Sequence, residues 1–341
     1  MNRKITMPNA NSSSRRFFPG LLLVMSVLIL SAGTAWSQAF PNRAVRIVVP
    51  FPPGNASDVA ARALSDKLSQ RLGQPVIIDN KAGAAGALGA DFVAKSQPDG
   101  YTLMITSLSP IVISPHINKK LPYDALKDFV PVARIGYTSM ILVVPTNFPV
   151  NTVPELLTYA KNNPGKLNYA SVGAGTLSML TMEVFKKSTN TDILHVPYKG
   201  SAQAMTDLIG GTIPLMVDGM TSSYSHVKAG KLKALGIFGS KRSELAPEIP
   251  TLRETGIPGL FDVGVDGWTG IFAPYGTPVE VVNFLNQEIN KVLEDPEFKK
   301  RANGQSLDVY TPNTPAQFTD YVKSEFNRWS AVIKPLQIEV Y

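Results

Sequence analysis

The sequence contains no cysteine and only three histidines among its 341 residues. The absence of cysteine excludes disulfide bonds, zinc sites built on thiolates, and thiol nucleophiles. His116, His195 and His226 lie too far apart to form a local metal-binding motif, so we predict neither a metal nor another cofactor. With 44% hydrophobic and 17% charged residues the composition is that of a globular protein, and the length allows two packed domains.

Long apolar runs are also scarce, and the clearest one, LLLVMSVLIL at residues 21–30, lies in a basic N-terminal segment without acidic residues. Ten apolar residues are too few for a stable membrane anchor, which needs about 20. The order of basic, apolar and small residues predicts a cleavable export signal over residues 1–39, with cleavage after Ala39 or Ser37. We therefore expect a soluble protein in the periplasm.

The export route has two open alternatives. The stretch SRRFF at residues 14–18 is similar to a twin-arginine signal, but Pro19 and Gly20 stand where that motif prefers leucine and lysine. Ordinary secretion is therefore an equal alternative.

Much of the positive charge belongs to this predicted signal. Removal of Arg3, Lys4, Arg15 and Arg16 lowers the formal net charge from +7 to +3. No basic run with interleaved aromatic residues remains, and KKRANGQ, which begins at Lys299, is typical of a solvated helix end. Nucleic acid is therefore not an expected partner.

Strand-like runs alternate with helical patterns along the rest of the chain. This alternation predicts an α/β fold in which mostly parallel sheets are flanked by helices on both faces. The runs are short and rich in Val, Ile and Leu, as strands buried on both faces should be. They are VRIVVPF, PVIID, YTLMIT, MILVVP, LNYAS, ILHVPY, IPLMVD and LKALGIF.

Three predicted helices begin with threonine followed three residues later by Glu or Gln, the spacing of a capping box. The pairs are Thr152 with Glu155, Thr277 with Glu280, and Thr314 with Gln317. The last helix also carries an apolar stripe, for which core packing is favoured over ligand contact. The stripe consists of Phe318, Val322, Trp329 and Ile333.

The stretch RIVVPFPPGNASD at residues 46–58 indicates an anion-binding turn. An apolar strand enters a rigid Pro-Pro turn that ends at Gly54, and a helix is predicted to begin near Asn55. Glycine lets the backbone approach a ligand closely, so the N–H groups at the helix start can point at an anion. Asp58 either complements the helix dipole or receives an amine or hydroxyl group of the ligand.

The same strand–turn–helix pattern recurs in LNYASVGAGTLSM at residues 167–179. Two such turns more than a hundred residues apart suggest two lobes that face each other. Gly173, Gly175 and Ser178 have some likeness to a dinucleotide fingerprint. Asp192, however, precedes the next strand instead of ending it, which disfavours a nucleotide site.

These motifs together resemble the Bug-type substrate-binding receptors of tripartite tricarboxylate transporters, over essentially the whole mature chain. The resemblance is carried by RIVVPFPPGNASD, PVIIDNKAGAAGALGADFVAKSQPDGYTL, LPYDALKDFVPVARIG, LNYASVGAGT, HVPYKGSAQAMTDLIGG and FAPYGTP. It implies a two-lobed periplasmic-binding-protein fold that closes on a small carboxylate. It also implies that residues 40–141 with 264–341 form lobe 1 and residues 142–263 form lobe 2.

The resemblance implies that hydroxyl groups and backbone amides from both turns line the ligand site. Ordered waters commonly bridge the carboxylate in such receptors, so a cationic clamp is not required. Lys199 could add charge, but a solvated surface lysine is an equal alternative. Carried over to this sequence, the ligand-binding residues are Phe51, Pro52, Gly54, Ser57, Asp58, Ser107, Ser109, Ser171, Gly173, Gly175, Thr176, Ser178, Lys199, Gly200, Ser201 and Asp218.

Three positions depart from the family pattern. Asn55 stands where many relatives have a second glycine, although asparagine can adopt the special turn geometry. Met179 stands where a histidine is often found, and Leu108 lies in a loop that is often more polar. The apolar replacements favour a less polar or aromatic carboxylate over citrate.

The predicted function is that of a monomeric periplasmic receptor for a di- or tricarboxylate, an amino acid or an aromatic carboxylate, which it delivers to the membrane subunits of a tripartite tricarboxylate-type transporter. No catalytic residues are predicted, because the sequence lacks a G-x-S-x-G elbow and a histidine recognisably placed with a serine and an acid. A secreted α/β enzyme such as a hydrolase stays open as an alternative, since a fold does not fix a function. A sensory receptor that passes the same ligand signal to a signalling protein is the other alternative.

Overall fold

The fold is taken from a computed structural model that describes residues 1, 40–239, 241–257 and 266–338. The predicted export signal and its cleavage site lie outside the described residues, apart from Met1. Every element named below belongs to the unit formed by residues 41–341. None of the helices in the described ranges is long and apolar enough to cross a membrane.

Ten strands and ten α-helices occur in the described part of the chain. The strands are β1 (Val45–Val49), β2 (Val76–Asn80), β3 (Thr102–Ser107), β4 (Phe129–Pro145), β5 (Leu167–Ser171), β6 (Ile193–Pro197), β7 (Met216–Gly219), β8 (Leu232–Ile237), β9 (Asp266–Pro274) and β10 (Asp308–Val309). The helices are α1 (Ala56–Leu72), α2 (Ala87–Ala94), α3 (Ser114–Ile117), α4 (Val153–Asn162), α5 (Leu177–Thr189), α6 (Ser201–Ile209), α7 (Met220–Lys228), α8 (Val279–Glu294), α9 (Pro296–Asn303) and α10 (Pro315–Ile333). All eight predicted strands are present.

The strands form a mixed sheet in the order β2-β1-β3-β9-β4-β7-β5-β6, with β8 and β10 also paired to β4. Strand β1 is parallel to β2 and β3, and strand β5 is parallel to β6 and β7. Strand β9 is antiparallel to β3 and β4, and β4 is antiparallel to β7. The sheet is therefore parallel towards its two ends, as predicted, and antiparallel in the middle.

Strand β4 joins two parts of this sheet. It pairs with β9 as far as Ser139 and with β7 from Met140 onwards. We call the part with β1–β3 and β9 the first lobe and the part with β5–β8 the second lobe, so the predicted two-lobed α/β fold is confirmed. The predicted boundary at 141/142 lies close to this change of partner and stays a prediction, and that at 263/264 lies outside the described residues.

Two segments of the middle of the sheet were not predicted as strands, namely β9 and the part of β4 that precedes Met140. Pro131 and Gly136 in β4 and the glycines of β9 disfavour a strand when judged by propensity alone. Packing explains one of these glycines, because a Cβ atom at Gly270 would collide with the ring of Phe318. Tertiary contacts thus outweigh local propensity here.

The predicted apolar stripe of the last helix is buried, as expected for core packing. Its polar neighbour Glu325 accepts hydrogen bonds from Nε1 of Trp268 at 3.1 Å and of Trp329 at 3.3 Å. The Arg328 guanidinium lies 2.7 Å from the same carboxylate. This network attaches helix α10 to strand β9, which links the C-terminal helix to the first lobe.

Two of the predicted helix starts carry a threonine cap. Thr314 and Gln317 form a full capping box at α10, which confirms that prediction. The Thr152 hydroxyl accepts from the Glu155 N–H, but the Glu155 carboxylate accepts from the Asn151 N–H at 2.7 Å. The N-cap at Thr152 is therefore confirmed, and the reciprocal half of the predicted box is wrong.

The predicted capping box at Thr277 is also wrong. The Thr277 hydroxyl donates to the Pro274 carbonyl at 2.8 Å, so it closes the turn after β9. Helix α8 begins at Val279 without a side-chain cap. Pro278 was predicted as the first helical residue and is the N-cap instead, so the predicted start of this helix is one residue early.

Candidate functional site

The turn between β1 and α1 is organised by two polar side chains. Asn55 caps α1, because its side chain accepts from the Asp58 N–H at 2.9 Å, and this confirms the predicted helix start. The buried Asp58 carboxylate accepts from the Gly54 N–H at 2.9 Å, from Asn80 at 2.9 Å and from Arg62 at 3.0 Å. Burial raises the pKa of Asp58, but these hydrogen bonds together hold that pKa below its usual value. Asp58 therefore remains ionised and stabilises the turn.

The turn between β5 and α5 is held in the same way. The Thr176 hydroxyl donates to the Gly173 carbonyl at 2.7 Å, and the Gly173 N–H donates to the Ser171 hydroxyl at 3.2 Å. The Ser171 Oγ also lies 2.6 Å from His195 Nε2. Gly173 and Gly175 have φ values of 139° and 84°, in the region that favours glycine. The two turns are therefore both rigid and both end at the first residues of a helix.

A cavity of about 80 Å³, the inner cavity, lies between these two turns. Four helices begin at its wall: residues 55–57 belong to the start of α1, 176–178 to that of α5, 200–201 to that of α6, and 219, 221 and 222 to that of α7. The N-terminus of an α-helix carries roughly half a positive elementary charge. Among the described residues, no lysine or arginine lines this cavity. Its attraction for an anion therefore comes from the backbone.

Ten of the sixteen predicted ligand-binding residues line the inner cavity. They are Phe51, Pro52, Ser57, Ser107, Ser109, Thr176, Ser178, Gly200, Ser201 and Asp218. The structure thus brings together residues from both lobes that lie up to 167 positions apart in sequence, Phe51 and Asp218 being the outermost. Whether each of them contacts a ligand stays a prediction.

The other six predicted residues lie elsewhere. Gly173, Gly175 and Lys199 line a larger neighbouring cavity of about 760 Å³, the outer cavity, which shares Phe51, Pro52 and Val172 with the inner one. Gly54 borders a third groove, together with Ser201 and Ser222. Asp58 and Ser171 line none of these three, and their polar atoms form hydrogen bonds that hold the two turns, so their contact with a ligand stays a prediction.

Ten further residues of the inner cavity were missed. Thr138 and Met140 lie on β4 and Gly267 on β9, in segments that were not recognised as strands. The start of α7 could have been recognised, since Gly219 follows a predicted strand as Gly54 does. The missed residues are Asn55, Ala56, Thr138, Met140, Val172, Leu177, Gly219, Thr221, Ser222 and Gly267.

Three buried polar atoms at the inner cavity lack a hydrogen-bond partner in the described part of the chain, namely Ser57 Oγ, Asp218 Oδ2 and Thr221 Oγ1. Ser57 is 0% and Asp218 is 5% exposed. A buried polar group without a partner costs about 1–3 kcal/mol. Such a cost at a cavity wall is typical of a binding site, where the ligand supplies the missing hydrogen bond.

The two lobes contact each other beside the inner cavity. The Leu177 N–H, at the start of α5, donates to the Ser109 hydroxyl of the first lobe at 3.1 Å. The Ser222 hydroxyl of the second lobe donates to the Gly54 carbonyl at 3.2 Å. The walls of the cavity are therefore held together by direct hydrogen bonds between the lobes.

Two of the three departures from the family pattern lie away from the cavities. Leu108 is fully buried, and Met179 Sδ accepts from the Gly175 N–H at 3.5 Å, so its sulfur supports the second turn. Neither side chain lines the inner or the outer cavity. The apolar character of the inner cavity comes instead from Phe51, Met140 and Val172. The predicted preference for a less polar carboxylate was based on Met179 and Leu108, and it stays a prediction.

Ser171 and His195 form a serine–histidine pair that sequence spacing did not reveal. Ser171 is fully buried, and it lines neither cavity. Glu183, whose charge acts on His195, accepts a hydrogen bond from Tyr169 at 2.7 Å. Burial lowers the pKa of His195 and keeps the ring neutral. The pair therefore resembles a structural hydrogen bond more than an accessible nucleophile with its base.

Comparison with protein families and curated sequences gives one consistent result. Residues 60–338 match a family model described as "Tripartite tricarboxylate transporter family receptor". The "UPF0065 protein in tcbD-tcbE intergenic region" of Pseudomonas sp. (strain P51) is 39% identical over 326 residues, which are 95% of each chain. Protein BugT of Bordetella pertussis is 35% identical over 320 residues, 92% of this chain and 96% of BugT. The resemblance inferred from the sequence motifs is therefore confirmed.

Solved structures give the same result for the fold. A structure described as a periplasmic transporter superposes with a TM-score of 0.84 at 39% identity, covering 88% of this chain and 99% of that one. Rpa4515 of R. palustris with adipate has a TM-score of 0.84 at 32% identity and the same coverage. MatC (Rpa3494) from Rhodopseudomonas palustris with bound malate has a TM-score of 0.81 at 33% identity, covering 86% of this chain and 100% of MatC.

Proposed function

The chain belongs to the tripartite tricarboxylate transporter receptor family, and we propose that it captures a small carboxylate in the inner cavity and delivers it to the membrane subunits of a tripartite tricarboxylate-type transporter. One observation carries this proposal: four helix N-termini meet at one cavity whose described lining contains no basic side chain. Positive partial charge from the backbone, combined with serine and threonine hydroxyls, suits a carboxylate.

The structural neighbours support this ligand class. Rpa4515 was solved with adipate and MatC with malate, and both of these ligands are dicarboxylates. In this chain one carboxylate would occupy the inner cavity, and the adjoining outer cavity leaves room for the rest of the ligand. The proposed ligand is therefore a di- or tricarboxylate, an amino acid or an aromatic carboxylate.

Capture without chemistry is the proposed mode of action. The Ser171–His195 pair is the arrangement that comes nearest to a hydrolase site, and burial of the serine separates it from both cavities. Incubation of the protein with adipate or malate, followed by chromatography of the acid, should return the acid unchanged. Turnover that is lost in Ser171→Ala but kept in Ser65→Ala, a change on the exposed face of α1, would favour the enzyme alternative.

The identity of the ligand can be read from the protein itself. Protein isolated from the periplasm should retain a small acid, which mass spectrometry detects first as added mass on the native protein and then as free acid after unfolding. Calorimetric titration with that acid should then give one site per chain. A retained ligand without a carboxylate, or no binding of any acid in a mono-, di- and tricarboxylate panel, would contradict the proposal.

Transport and sensing differ in what happens after capture. Cells that lack this protein should lose uptake of the radiolabelled acid if the protein serves a transporter. If uptake persists while a transcriptional response to the acid disappears, the sensory alternative is the correct one.

The proposed location and state of assembly can be tested on the same sample. N-terminal sequencing of the exported form should begin near Phe40, and sedimentation should give the mass of a monomer. Recovery of the full-length chain only in membranes would contradict the proposed export.

A further inference from the structure

Asp218 is the acidic side chain of the inner cavity. It lies near the end of β7, and its Oδ1 accepts from the Gly219 N–H at 2.8 Å. Its Oδ2 is buried at the cavity wall without a hydrogen-bond partner in the described part of the chain. Ser57 Oγ and Thr221 Oγ1, which are also buried and unpartnered, line the same cavity. A ligand carboxylate in this space would meet a second carboxyl group.

Among the described residues, no charged neighbour contributes to the shifted pKa of Asp218. Burial raises the pKa of Asp218 to about 6, and the hydrogen bond from Gly219 and the nearby Ser201 hydroxyl oppose this only in part. The other titratable groups on the elements packed around β7 are not hydrogen-bonded or ion-paired to Asp218 in the described structure, and most of them have another partner. These are Arg134 on β4 over the Tyr310 ring, Tyr137 on β4, Tyr169 on β5 with Glu183, Lys186 on α5 with Glu183, Lys187 on α5 with the Pro335 carbonyl, Asp58 and Arg62 on α1 with each other, Asp207 on α6 with Tyr198, Tyr224 on α7 with Leu245 and Glu248, Lys228 on α7 over the Tyr224 ring, and His226 on α7 beside the third groove.

Placing two ionised carboxylates in one small cavity costs much electrostatic free energy unless a cation lies between them. A like charge at close range disfavours the charged form of an acid and raises its pKa further. The four helix N-termini can stabilise one anion, but the described lining offers no basic side chain for a second. Protonation of one of the two acids removes the repulsion and creates a hydrogen-bond donor.

We propose that Asp218 takes up one proton when a carboxylate enters the inner cavity and then donates a hydrogen bond to that ligand. This inference rests on the proposed function. The proton comes from solvent and forms an O–H bond at the unpartnered Oδ2, while the ligand carboxylate stays ionised and accepts. Capture and release of the ligand are thereby coupled to pH.

The sign of the effect follows from linkage. The pKa of Asp218 is higher in the complex than in the free protein, so affinity is greatest below the pKa of the free protein and falls as pH rises towards that of the complex. In that interval the binding constant falls about tenfold for each pH unit. The interval begins at about pH 6, where free Asp218 titrates.

The test uses calorimetric titration with adipate and with malate between about pH 6.5 and 8.5, where both acids are almost fully ionised. Each titration is repeated in two buffers of different ionisation enthalpy, which counts the protons taken up on binding. The parent protein should lose affinity as pH rises, by up to about tenfold per pH unit, and in the steepest part of this fall it should take up close to one proton per ligand.

Asp218→Asn keeps the size of the side chain and supplies a neutral amide that does not titrate. This variant should bind with an affinity independent of pH, take up no proton, and exceed the parent in affinity at about pH 8.5. His226→Gln is the matched control, because histidine is the side chain whose charge ordinarily changes near neutral pH. It should keep the pH dependence of the parent.

Three results would overturn the inference: an affinity of the parent that does not change with pH, a pH dependence that survives in Asp218→Asn, or one that disappears in His226→Gln. An Asp218→Asn variant that binds more weakly at every pH would show instead that the ionised carboxylate accepts a donor group of the ligand. If Asp218→Asn does not fold, the number of protons that the parent takes up per bound ligand decides the question, and an uptake of zero throughout the pH range would overturn the inference. Failure of the parent to bind any carboxylate at any pH would refute the proposed function, and this inference with it.

Discussion

The backbone amide of Leu177 donates a hydrogen bond of 3.1 Å to the hydroxyl of Ser109. This bond connects the first lobe to the start of helix α5 in the second lobe, directly at the wall of the inner cavity. It can exist only while the lobes are together, so it stabilises the closed arrangement that holds a ligand.

Ser109→Ala should therefore weaken ligand binding. Loss of one neutral hydrogen bond costs about 0.5–1.5 kcal/mol, which corresponds to about a two- to tenfold loss of affinity. Calorimetric titration with the retained acid measures this. Ser65→Ala, which removes an exposed hydroxyl that donates to Arg62 within helix α1, should leave affinity unchanged. Equal affinities for parent and Ser109→Ala would show that the bond does not contribute to closure.

The Ser57 hydroxyl should contribute to ligand binding alone, whereas the Thr176 hydroxyl should also contribute to the stability of the fold. Ser57 Oγ is buried without a partner in the described structure, whereas the Thr176 hydroxyl already donates to Gly173. Ser57→Ala should weaken carboxylate binding by about 1.5–3 kcal/mol, roughly tenfold or more, without loss of stability. Thr176→Ala should lower the free energy of unfolding by about 1 kcal/mol in addition to its effect on binding. Thermal unfolding beside calorimetry separates the two, and a destabilised Ser57→Ala with parental affinity would exclude a ligand role for that hydroxyl.

Gly200 allows the lobes to approach. It has a φ of 153°, and a Cβ atom there would lie 2.9 Å from Cγ of Pro52 in the opposite lobe. Gly200→Ala should weaken binding because closure would require Pro52 to move. Gly211→Ala is the matched control, since Gly211 has a φ of 77° but a Cβ atom there would meet no described heavy atom within 4 Å. Both should lower stability, by roughly 1–3 kcal/mol, and only the first should affect affinity. The same affinity in both variants would contradict a steric role for Gly200.

Asp218 should make stability depend on pH. Its pKa in the folded protein is raised to about 6 by burial, so ionisation is less favourable in the folded than in the unfolded chain. The contribution of Asp218 to the free energy of unfolding is therefore fully present below the unfolded pKa of about 4. It is lost as pH rises from there through about 6. Asp218→Asn should be more stable than the ligand-free parent above pH 6, on the order of 2–3 kcal/mol, with a gain that shrinks towards pH 4. Urea unfolding at several pH values measures the difference, and a constant difference would contradict the assigned titration.

Trp329 should contribute to the stability of the fold and not to ligand specificity. It is 0% exposed, and its Nε1 donates to Glu325. Trp329→Ala should cost about 3–5 kcal/mol. Trp329→Phe keeps most of the volume and loses the hydrogen bond, so it should cost about 1–2 kcal/mol. Urea unfolding gives these values, and a changed order of preference among carboxylates in Trp329→Phe would contradict a purely structural role.

The strands of both lobes could be predicted from the sequence because their burial on two faces leaves short runs of Val, Ile and Leu. The crossing strands could not be predicted in full. Gly270 of β9 is a poor strand residue by propensity, and it is accommodated there because Phe318 from a distant helix fills the space of its side chain. This contact depends on the tertiary fold and leaves no local pattern in the sequence.

In the candidate site too, features with a local sequence pattern could be predicted and features that depend on tertiary contacts could not. The starts of α1 and α5 could be predicted because strand, glycine turn and helix follow one another within a dozen residues. The starts of α6 and α7, which follow Gly200 and Gly219, were not recognised as helix N-termini, although Gly219 directly follows a predicted strand. Asp58 and Ser171 were assigned to the ligand site by the family resemblance, and their hydrogen bonds to the turn backbone are visible only in three dimensions.

Recognition of a carboxylate by the backbone of the inner cavity is the central claim, and comparison of an acid with its amide tests it most directly. Calorimetric titration of the protein with adipate, malate and the corresponding diamides, at one pH and ionic strength, compares ligands of nearly the same shape in which a neutral amide, with one acceptor oxygen and an NH2 donor, replaces each negative carboxylate. We expect at least one of the two acids, or the retained acid in their place, to bind at one site per chain and its diamide to bind at least about a hundredfold more weakly, because loss of the charge removes the attraction to four helix N-termini. Equal affinity for an acid and its diamide would contradict an anion site in this cavity.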